Sequence, residues 1–126
     1  MNKISFLGCG SWGGALGLVL ANKGVHVTMW HRNPDVVQTL TDSRNHYLVP
    51  GLIFPDSVLF TSSMDAAVLG ASIVIIAVPS QSIRELLQSN KYLFINDQTI
   101  VNVSKGIEID TLMTVSEVIV DVLGDS

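Results

Sequence analysis

The residues best placed to do chemistry form a glycine motif near the start of the chain. The motif occupies residues 8–13 and reads Gly8-Cys9-Gly10-Ser11-Trp12-Gly13. Its G-x-G-x-x-G spacing follows a predicted strand and opens a predicted helix, which is the context of a dinucleotide-binding turn. There Gly8 allows a tight turn, Gly10 lets the backbone approach a pyrophosphate, and Gly13 lets helix and strand pack closely. The alternative is a glycine-rich turn that binds no ligand.

Arg32 is the second candidate binding residue. In dinucleotide-binding turns an Asp or Glu about 20 residues further on bonds the ribose 2′-hydroxyl, whereas an Arg accommodates a 2′-phosphate. The second predicted strand ends in Met-Trp-His-Arg at residues 29–32, without an acid. A guanidinium can bond a phosphate in bidentate fashion. The pattern favours NADP(H), with NAD(H) as the second choice; the alternative is that Arg32 is a solvated surface cation.

Three further residues in or near these turns carry predictions. Trp12 either lines the cofactor site or packs in the core, and the sequence leaves both roles open. Cys9 stands where a small residue is needed, and a helix N-terminus can lower the pKa of a thiol, but we assign it no catalytic role. Lys105 follows the last predicted strand and is expected to face the same crevice as the glycine motif; the alternative is a surface lysine.

Strands and helices alternate along the whole chain, which predicts an α/β fold with a Rossmann-type, doubly wound parallel sheet. The apolar runs predict strands at residues 3–7, 25–30, 58–61, 72–78 and 99–103. The helical patterns predict helices at 11–21, from 34 onward, at 65–69, 81–88 and 111–123. Gly24 is expected to stop the first helix, and Asn33 and Pro34 to start the second.

Composition excludes several classes of protein. The 126 residues are 48% hydrophobic and 14% charged, which indicates one folded domain spanning residues 1–126. A net charge of −4 gives no electrostatic case for nucleic-acid binding. We expect no membrane span, because no apolar run approaches about 18 residues. The single cysteine excludes an intramolecular disulfide, and three scattered histidines suggest no metal site. A reducing, cytoplasmic location is expected.

Four cations stand against two acids in residues 1–50, although the chain as a whole is acidic. The cations are Lys3, Lys23, Arg32 and Arg44. This uneven distribution suggests that these cations are reserved for an anion.

Five segments, in order along the chain, resemble one known family. They are the glycine motif, Trp30, residues 45–51, residues 77–81 (Ala-Val-Pro-Ser-Gln) and residues 104–108 (Ser-Lys-Gly-Ile-Glu). Together they resemble the N-terminal domain of the bacterial-type NAD(P)-dependent glycerol-3-phosphate dehydrogenases. The resemblance covers essentially the whole chain, with one departure: Tyr47 stands one place earlier than the tyrosine of the family pattern.

The resemblance implies a function and a set of site residues. The family reduces dihydroxyacetone phosphate to sn-glycerol 3-phosphate with NADPH or NADH, for glycerophospholipid synthesis in the cytoplasm. Ser11, Trp12 and Arg32 fall where the family binds the dinucleotide, and Lys105 falls where it contacts cofactor and substrate. The family's catalytic lysine lies in a helical C-terminal domain, so this chain is expected to hold no catalytic residue. A full-length relative is expected to be a homodimer.

Two other functions stay open on the sequence alone. One is another two-domain NADP-dependent reductase, of the ketopantoate or pyrroline-carboxylate reductase kind, against which residues 104–108 argue. The other is a dinucleotide-sensing module that does no chemistry.

Overall fold

A parallel sheet forms the centre of the computed structural model, which describes residues 3–94, 98–104 and 106–124. Within those residues it has five strands, all parallel, in the order β3-β2-β1-β4-β5. The strands are β1 (Lys3–Leu7), β2 (His26–Trp30), β3 (Leu59–Thr61), β4 (Ala71–Ile76) and β5 (Thr99–Asn102). The predicted doubly wound sheet is confirmed.

Helices connect the strands and cover the sheet. They are α1 (Ser11–Asn22), α2 (Pro34–Ser43), α3 (Met64–Val68), α4 (Ile83–Ser89) and α5 (Val115–Leu123). Two predicted helix ends are confirmed: Gly24 takes a φ of 83° just after α1, and the Asn33 side chain accepts a hydrogen bond from the Asp35 backbone N–H at the start of α2. No helix among the described residues is long and apolar enough to cross a membrane.

Alternating strand residues bury an apolar core on each face of the sheet. Phe6 packs in one core with residues of α1 and α2, while the next residue, Leu7, packs in the other with residues of α3, α4 and α5. Both side chains are fully buried. Because successive strand residues point to opposite faces, a strand covered on both sides must be apolar nearly throughout, as β4 is.

The last helix begins later than the sequence predicts. The prediction placed its start at Thr111, but α5 begins at Val115. Residues 107–114 fold back on themselves instead, with an antiparallel bridge between Ile107 and Thr114. Thr114 then caps the helix in a reciprocal pair of hydrogen bonds with Glu117. The Thr-x-x-Glu spacing of this capping box was the signal for the true start.

Candidate functional site

A cleft of about 540 Å³ opens where β1, β2 and β4 end. Strand order reverses between β1 and β4, and ligands of open parallel sheets bind at such a switch point. The walls of the cleft combine the glycine motif, the end of β2, the turn after β4 and one side of α4. The lining residues are Gly8, Cys9, Gly10, Trp30, His31, Arg32, Tyr47, Met64, Ala77, Val78, Pro79, Ser82, Glu85, Leu86, Ser89 and Asn90.

Gly8, Gly10 and Gly13 each have a different structural reason to be glycine. Gly8 has a φ of 118°, and a Cβ there would lie 2.7 Å from the carbonyl carbon of Ala77. A Cβ on Gly13 would lie 3.2 Å from the Ala77 Cβ, so helix and strand do pack closely. A Cβ on Gly10 would meet none of the described atoms within 4 Å, although Gly10 lines the cleft. Packing therefore does not require glycine at Gly10, and the open space fits a ligand that approaches the backbone.

The N-terminus of α1 is arranged to accept an anion. Gly10 is its N-cap residue, in an extended conformation, and no side chain caps the helix. No acidic residue occupies the first turn. Within that turn, therefore, no negative side chain competes with a ligand for the free N–H groups and the positive end of the helix dipole. The side chains of Ser11 and Trp12 lie outside the described part of the chain, so the predictions made for them stay predictions.

The end of β2 brings a cation to the cleft. Arg32 is exposed, and none of the described acidic side chains forms an ion pair with it. Beside it, the His31 ring nitrogen Nδ1 accepts a hydrogen bond from the Asn33 backbone N–H. Burial, together with the charge of Arg32, lowers the pKa of His31. His31 is therefore neutral near pH 7, which leaves Arg32 as the cation at this wall.

Two of the other early cations serve the fold rather than an anion. The Lys3 ammonium donates hydrogen bonds to the backbone carbonyls of Ala66 and Leu69. The Arg44 guanidinium donates to the carbonyl of Val58 at 2.6 Å and packs over the Phe60 ring. The idea that the early cations are reserved as a group for an anion is therefore wrong, because backbone carbonyls occupy Lys3 and Arg44.

Burial outweighs the helix N-terminus at Cys9. The side chain is 1% exposed, and its sulfur lies 3.8 Å from that of Met29. Burial raises the pKa of the Cys9 thiol to about 12. The suggestion that the helix end lowers this pKa is wrong, whereas the role of a small filler fits the packing.

The loops after β4 and β5 are tied together beside the cleft. Val78 and Pro79 line the cleft, but Gln81 turns away and bonds the backbone of Ile107 and Ile109. Ser104 Oγ donates to the carbonyl of Val78 at 2.7 Å. These bonds hold the chain on either side of position 105 against the turn after β4. Lys105 itself lies outside the described residues, and its predicted contacts are untested.

An ion-pair network fastens the rest of this loop to α4 and α5. Arg84 Nε lies 3.0 and 2.9 Å from the two carboxylate oxygens of Glu108, and Arg84 Nη1 lies 2.6 Å from an Asp121 oxygen. Thr111 Oγ1 donates to the same Glu108 carboxylate. The Arg84 hydrogen bonds, followed by that of Thr111, hold the pKa of Glu108 below its usual value. Spacing alone did not reveal this pair, because its members stand 24 residues apart.

Tyr47 belongs to the cleft although the family pattern places the tyrosine elsewhere. Its ring stacks on His46 with centroids 4.8 Å apart and meets His31 edge-on at 5.7 Å. Nothing in the residue pattern indicated that Glu85 or Leu86 would line the cleft either. Both lie on α4, which begins at Ile83 and not at the predicted Gln81.

The fold and this cleft together define a dinucleotide-binding α/β domain. The family described as NAD-dependent glycerol-3-phosphate dehydrogenase N-terminus matches residues 3–126. The chain belongs to that family.

Curated proteins that align with most of the chain support this assignment. The chain is 45% identical over 122 residues to a glycerol-3-phosphate dehydrogenase [NAD(P)+] of Chlorobium phaeobacteroides, covering 96% of this chain and 36% of that protein. It is 43% identical to the protein of the same name in Syntrophomonas wolfei, covering 98% of this chain and 36% of that protein. The chain thus spans 36% of the length of these curated relatives.

Solved structures agree on the fold. A glycerol-3-phosphate dehydrogenase from Coxiella burnetii superposes with a TM-score of 0.92 at 30% identity, covering 98% of this chain and 38% of that one. A prephenate dehydrogenase from A. aeolicus has a TM-score of 0.69 at 19% identity, which shows a shared fold alone. The family match disfavours both open alternatives, the other two-domain reductases and the sensing module.

Proposed function

We propose that this chain is the dinucleotide-binding part of an enzyme that reduces dihydroxyacetone phosphate to sn-glycerol 3-phosphate with NADPH or NADH. The observation that carries the proposal is Gly10, which lines the cleft at the uncapped start of α1 and has open space where a Cβ would stand. Family membership supplies the reaction, since the relatives are named for it.

The described residues fit a dinucleotide. Backbone N–H groups at the start of α1 would hold the pyrophosphate, with Gly8 and Gly13 keeping the loop close to Ala77. Arg32 would bond a ribose 2′-phosphate, because it is a cation at the end of β2 without an acidic partner among the described residues. When bound, the dihydronicotinamide supplies the hydride.

The roles proposed for Ser11, Trp12 and Lys105 rest on the family resemblance. We propose that Ser11 and Trp12 help to bind the dinucleotide and that Lys105 contacts both cofactor and substrate. An ammonium suits an anionic substrate and stabilises charge that develops on a carbonyl oxygen. The Ser104 and Gln81 hydrogen bonds support this role, because they anchor the loop that carries Lys105 next to the cleft.

No catalytic residue is proposed within this chain. We propose that the reaction also needs residues that the longer relatives have and this chain does not cover. Titration calorimetry with NADPH, and then with NADH, tests the binding part directly. We expect saturable binding of both, tighter for NADPH, and no NADPH oxidation when dihydroxyacetone phosphate is added to these 126 residues alone. If the chain binds neither NADPH nor NADH, the proposed function is contradicted. If the chain alone oxidises NADPH with dihydroxyacetone phosphate, the proposal that it holds no catalytic residue is contradicted.

Two finer proposals concern the cell and the assembly. A cytoplasmic location is supported by the single, buried, free cysteine, which fits a reducing compartment. A homodimer, expected of a protein with the relatives' full length, rests on the resemblance. Light scattering on such a protein measures the assembly, and a monomer there contradicts it.

A further inference from the structure

His46 is a buried polar side chain beneath the glycine loop, by which we mean residues 8–10 between β1 and α1. It is 5% exposed and does not line the cleft. Its Nε2 lies 3.0 Å from the carbonyl oxygen of Cys9 and 3.1 Å from that of Gly10. Its Nδ1 accepts hydrogen bonds from the backbone N–H groups of Leu48 and Val49, at 3.0 and 3.1 Å. Both ring nitrogens are therefore in use.

These partners determine where the ring proton lies. A backbone N–H can only donate, so Nδ1 must be the acceptor and carry no proton. A carbonyl oxygen can only accept, so Nε2 must carry the proton and share it between Cys9 and Gly10. The ring of His46 is thus a neutral Nε2–H tautomer, which joins the 45–51 segment to the glycine loop.

Gly14 makes room for this ring. A Cβ on Gly14 would lie 2.6 Å from Cδ2 and 2.8 Å from Nε2 of His46, well inside contact distance. The Gly14 backbone N–H also donates to the Gly10 carbonyl at 2.8 Å. That carbonyl therefore has two donors on one side, which fix its direction.

The direction of these carbonyls sets the direction of the N–H groups that an anion would use. The described peptide bonds are all trans, and a trans peptide places its N–H opposite its C=O. Because the Cys9 and Gly10 carbonyls point at His46, the N–H groups of Gly10 and Ser11 point away from it. A rotated peptide would exchange an N–H donor for a carbonyl oxygen, which repels an anion.

We infer that His46 is a positioning residue for dinucleotide binding: its Nε2–H holds the Cys9 and Gly10 peptides with their N–H groups free for the pyrophosphate. The inference rests on the proposed cofactor function. His46 acts through the loop and touches no ligand itself. Gly14 contributes to the same positioning, because the absence of a Cβ there lets the His46 ring reach the glycine loop.

Two substitutions at His46 separate the roles of its two ring nitrogens. His46→Gln retains an N–H donor at about the position of Nε2 and loses the Nδ1 acceptor. His46→Asn retains an acceptor at about the position of Nδ1 and cannot reach the glycine loop with a donor. Each variant keeps one half of the hydrogen bonds of His46, so a purely structural role would lower stability and affinity together in both.

NADPH affinity measured by calorimetry is the first readout. We expect His46→Asn to weaken binding about tenfold, the scale of a lost hydrogen bond, and His46→Gln to stay within about threefold of the wild type. Thermal unfolding of both variants checks that each is folded. If the Gln variant loses as much affinity as the Asn variant, or neither loses any, the inference is overturned.

The second readout does not depend on the cofactor. Nitrogen-15 spectra of the wild-type imidazole should show the neutral Nε2–H tautomer, and the amide signals of Gly10 and Ser11 should shift in His46→Asn far more than in His46→Gln. The Nδ1–H tautomer, or unmoved amide signals, contradicts the inference. If wild-type protein binds neither NADPH nor NADH, the proposed function fails. These spectra still decide whether His46 determines the orientation of the peptides in the glycine loop.

Gly14→Ala serves where His46→Asn does not fold. Alanine normally favours a helix over glycine. Here the added Cβ would displace the His46 ring, so we expect a folded variant with the affinity loss of His46→Asn. A folded Gly14→Ala variant with wild-type affinity would overturn the inference.

Discussion

Substitution of Gly10 by alanine separates binding from folding at the candidate site. Gly10 has a φ of −73° and a ψ of −173°, which alanine adopts without strain, and its Cβ would meet none of the described atoms within 4 Å. Replacing glycine at such a position restricts the unfolded chain and stabilises a protein by about 0.4–1 kcal/mol. Alanine is a poorer N-cap residue than glycine by a comparable amount, so the two effects offset each other and we expect the melting temperature of Gly10→Ala to stay within about 3 °C of the wild type.

The same methyl group should cost affinity for the cofactor. It projects into the cleft where the pyrophosphate would approach the start of α1. Loss of even one hydrogen bond between an N–H group and a charged phosphate corresponds to about 1.5–3 kcal/mol, or roughly 10- to 150-fold in Kd. Calorimetric titration with NADPH and thermal unfolding, on the same preparation, measure both effects.

Gly8→Ala is the matched control. With a φ of 118° and only 2.7 Å between its Cβ and the Ala77 carbonyl carbon, it should lose stability and binding together. The reasoning about Gly10 is refuted if Gly10→Ala binds NADPH as tightly as the wild type, or if it loses affinity only because it unfolds.

Four further substitutions test other parts of the molecule. Arg32→Ala should weaken NADPH binding by about tenfold or more and leave NADH binding nearly unchanged, because only NADPH carries the 2′-phosphate; equal losses in two calorimetric titrations would contradict that role. Cys9→Ala should remove a loss of stability at alkaline pH: the thiol pKa is about 12 in the fold against a reference of 9.0. Wild-type unfolding free energy should therefore fall, relative to the alanine variant, by about 1.4 kcal/mol per pH unit from pH 9 upward, and parallel denaturation curves would refute it. Glu108→Gln should lower the melting temperature at pH 7, and the gap to the wild type should close as pH falls below about 4.5, since the depressed pKa of Glu108 adds stability only while it is ionised; a gap that is constant with pH would show that the Arg84 pair is not its cause. In a protein with the relatives' full length, Lys105→Met should reduce kcat/KM for dihydroxyacetone phosphate by about a hundredfold, with little change in NADPH affinity, and near wild-type kcat/KM would make Lys105 a surface residue.

The sheet could be predicted from the sequence because its signals are local. Apolar runs of strand length alternate with capped helical patterns, and the glycine motif falls between the first strand and the first helix. A capping residue such as Asn33 bonds a group two residues away, so its meaning can be read from its neighbours.

The contacts that the sequence did not reveal join segments far apart in the chain. His46 reaches the carbonyl of Cys9 across 37 positions, and Arg84 reaches Glu108 across 24. Nothing in the types or spacing of these residues distinguishes them from solvated surface residues. Cys9 shows the same limit, since whether its pKa rises or falls depends on how deeply the fold buries it.

The two faces of the sheet also become complete at different times as the chain is made. Among the described residues, the core shared with α1 and α2 uses no buried residue beyond Ile75, whereas the core on the opposite face needs residues as late as Val122. At about 5–20 residues per second, roughly two to ten seconds of synthesis separate these points. During that interval α3 is the only helix made that covers Leu7, Val74 and Ile76 among the described core residues, and α4 and α5 are still missing. A ribosome-bound chain at that stage would expose part of one face of the sheet, and exposed apolar surface of this kind is prone to aggregation.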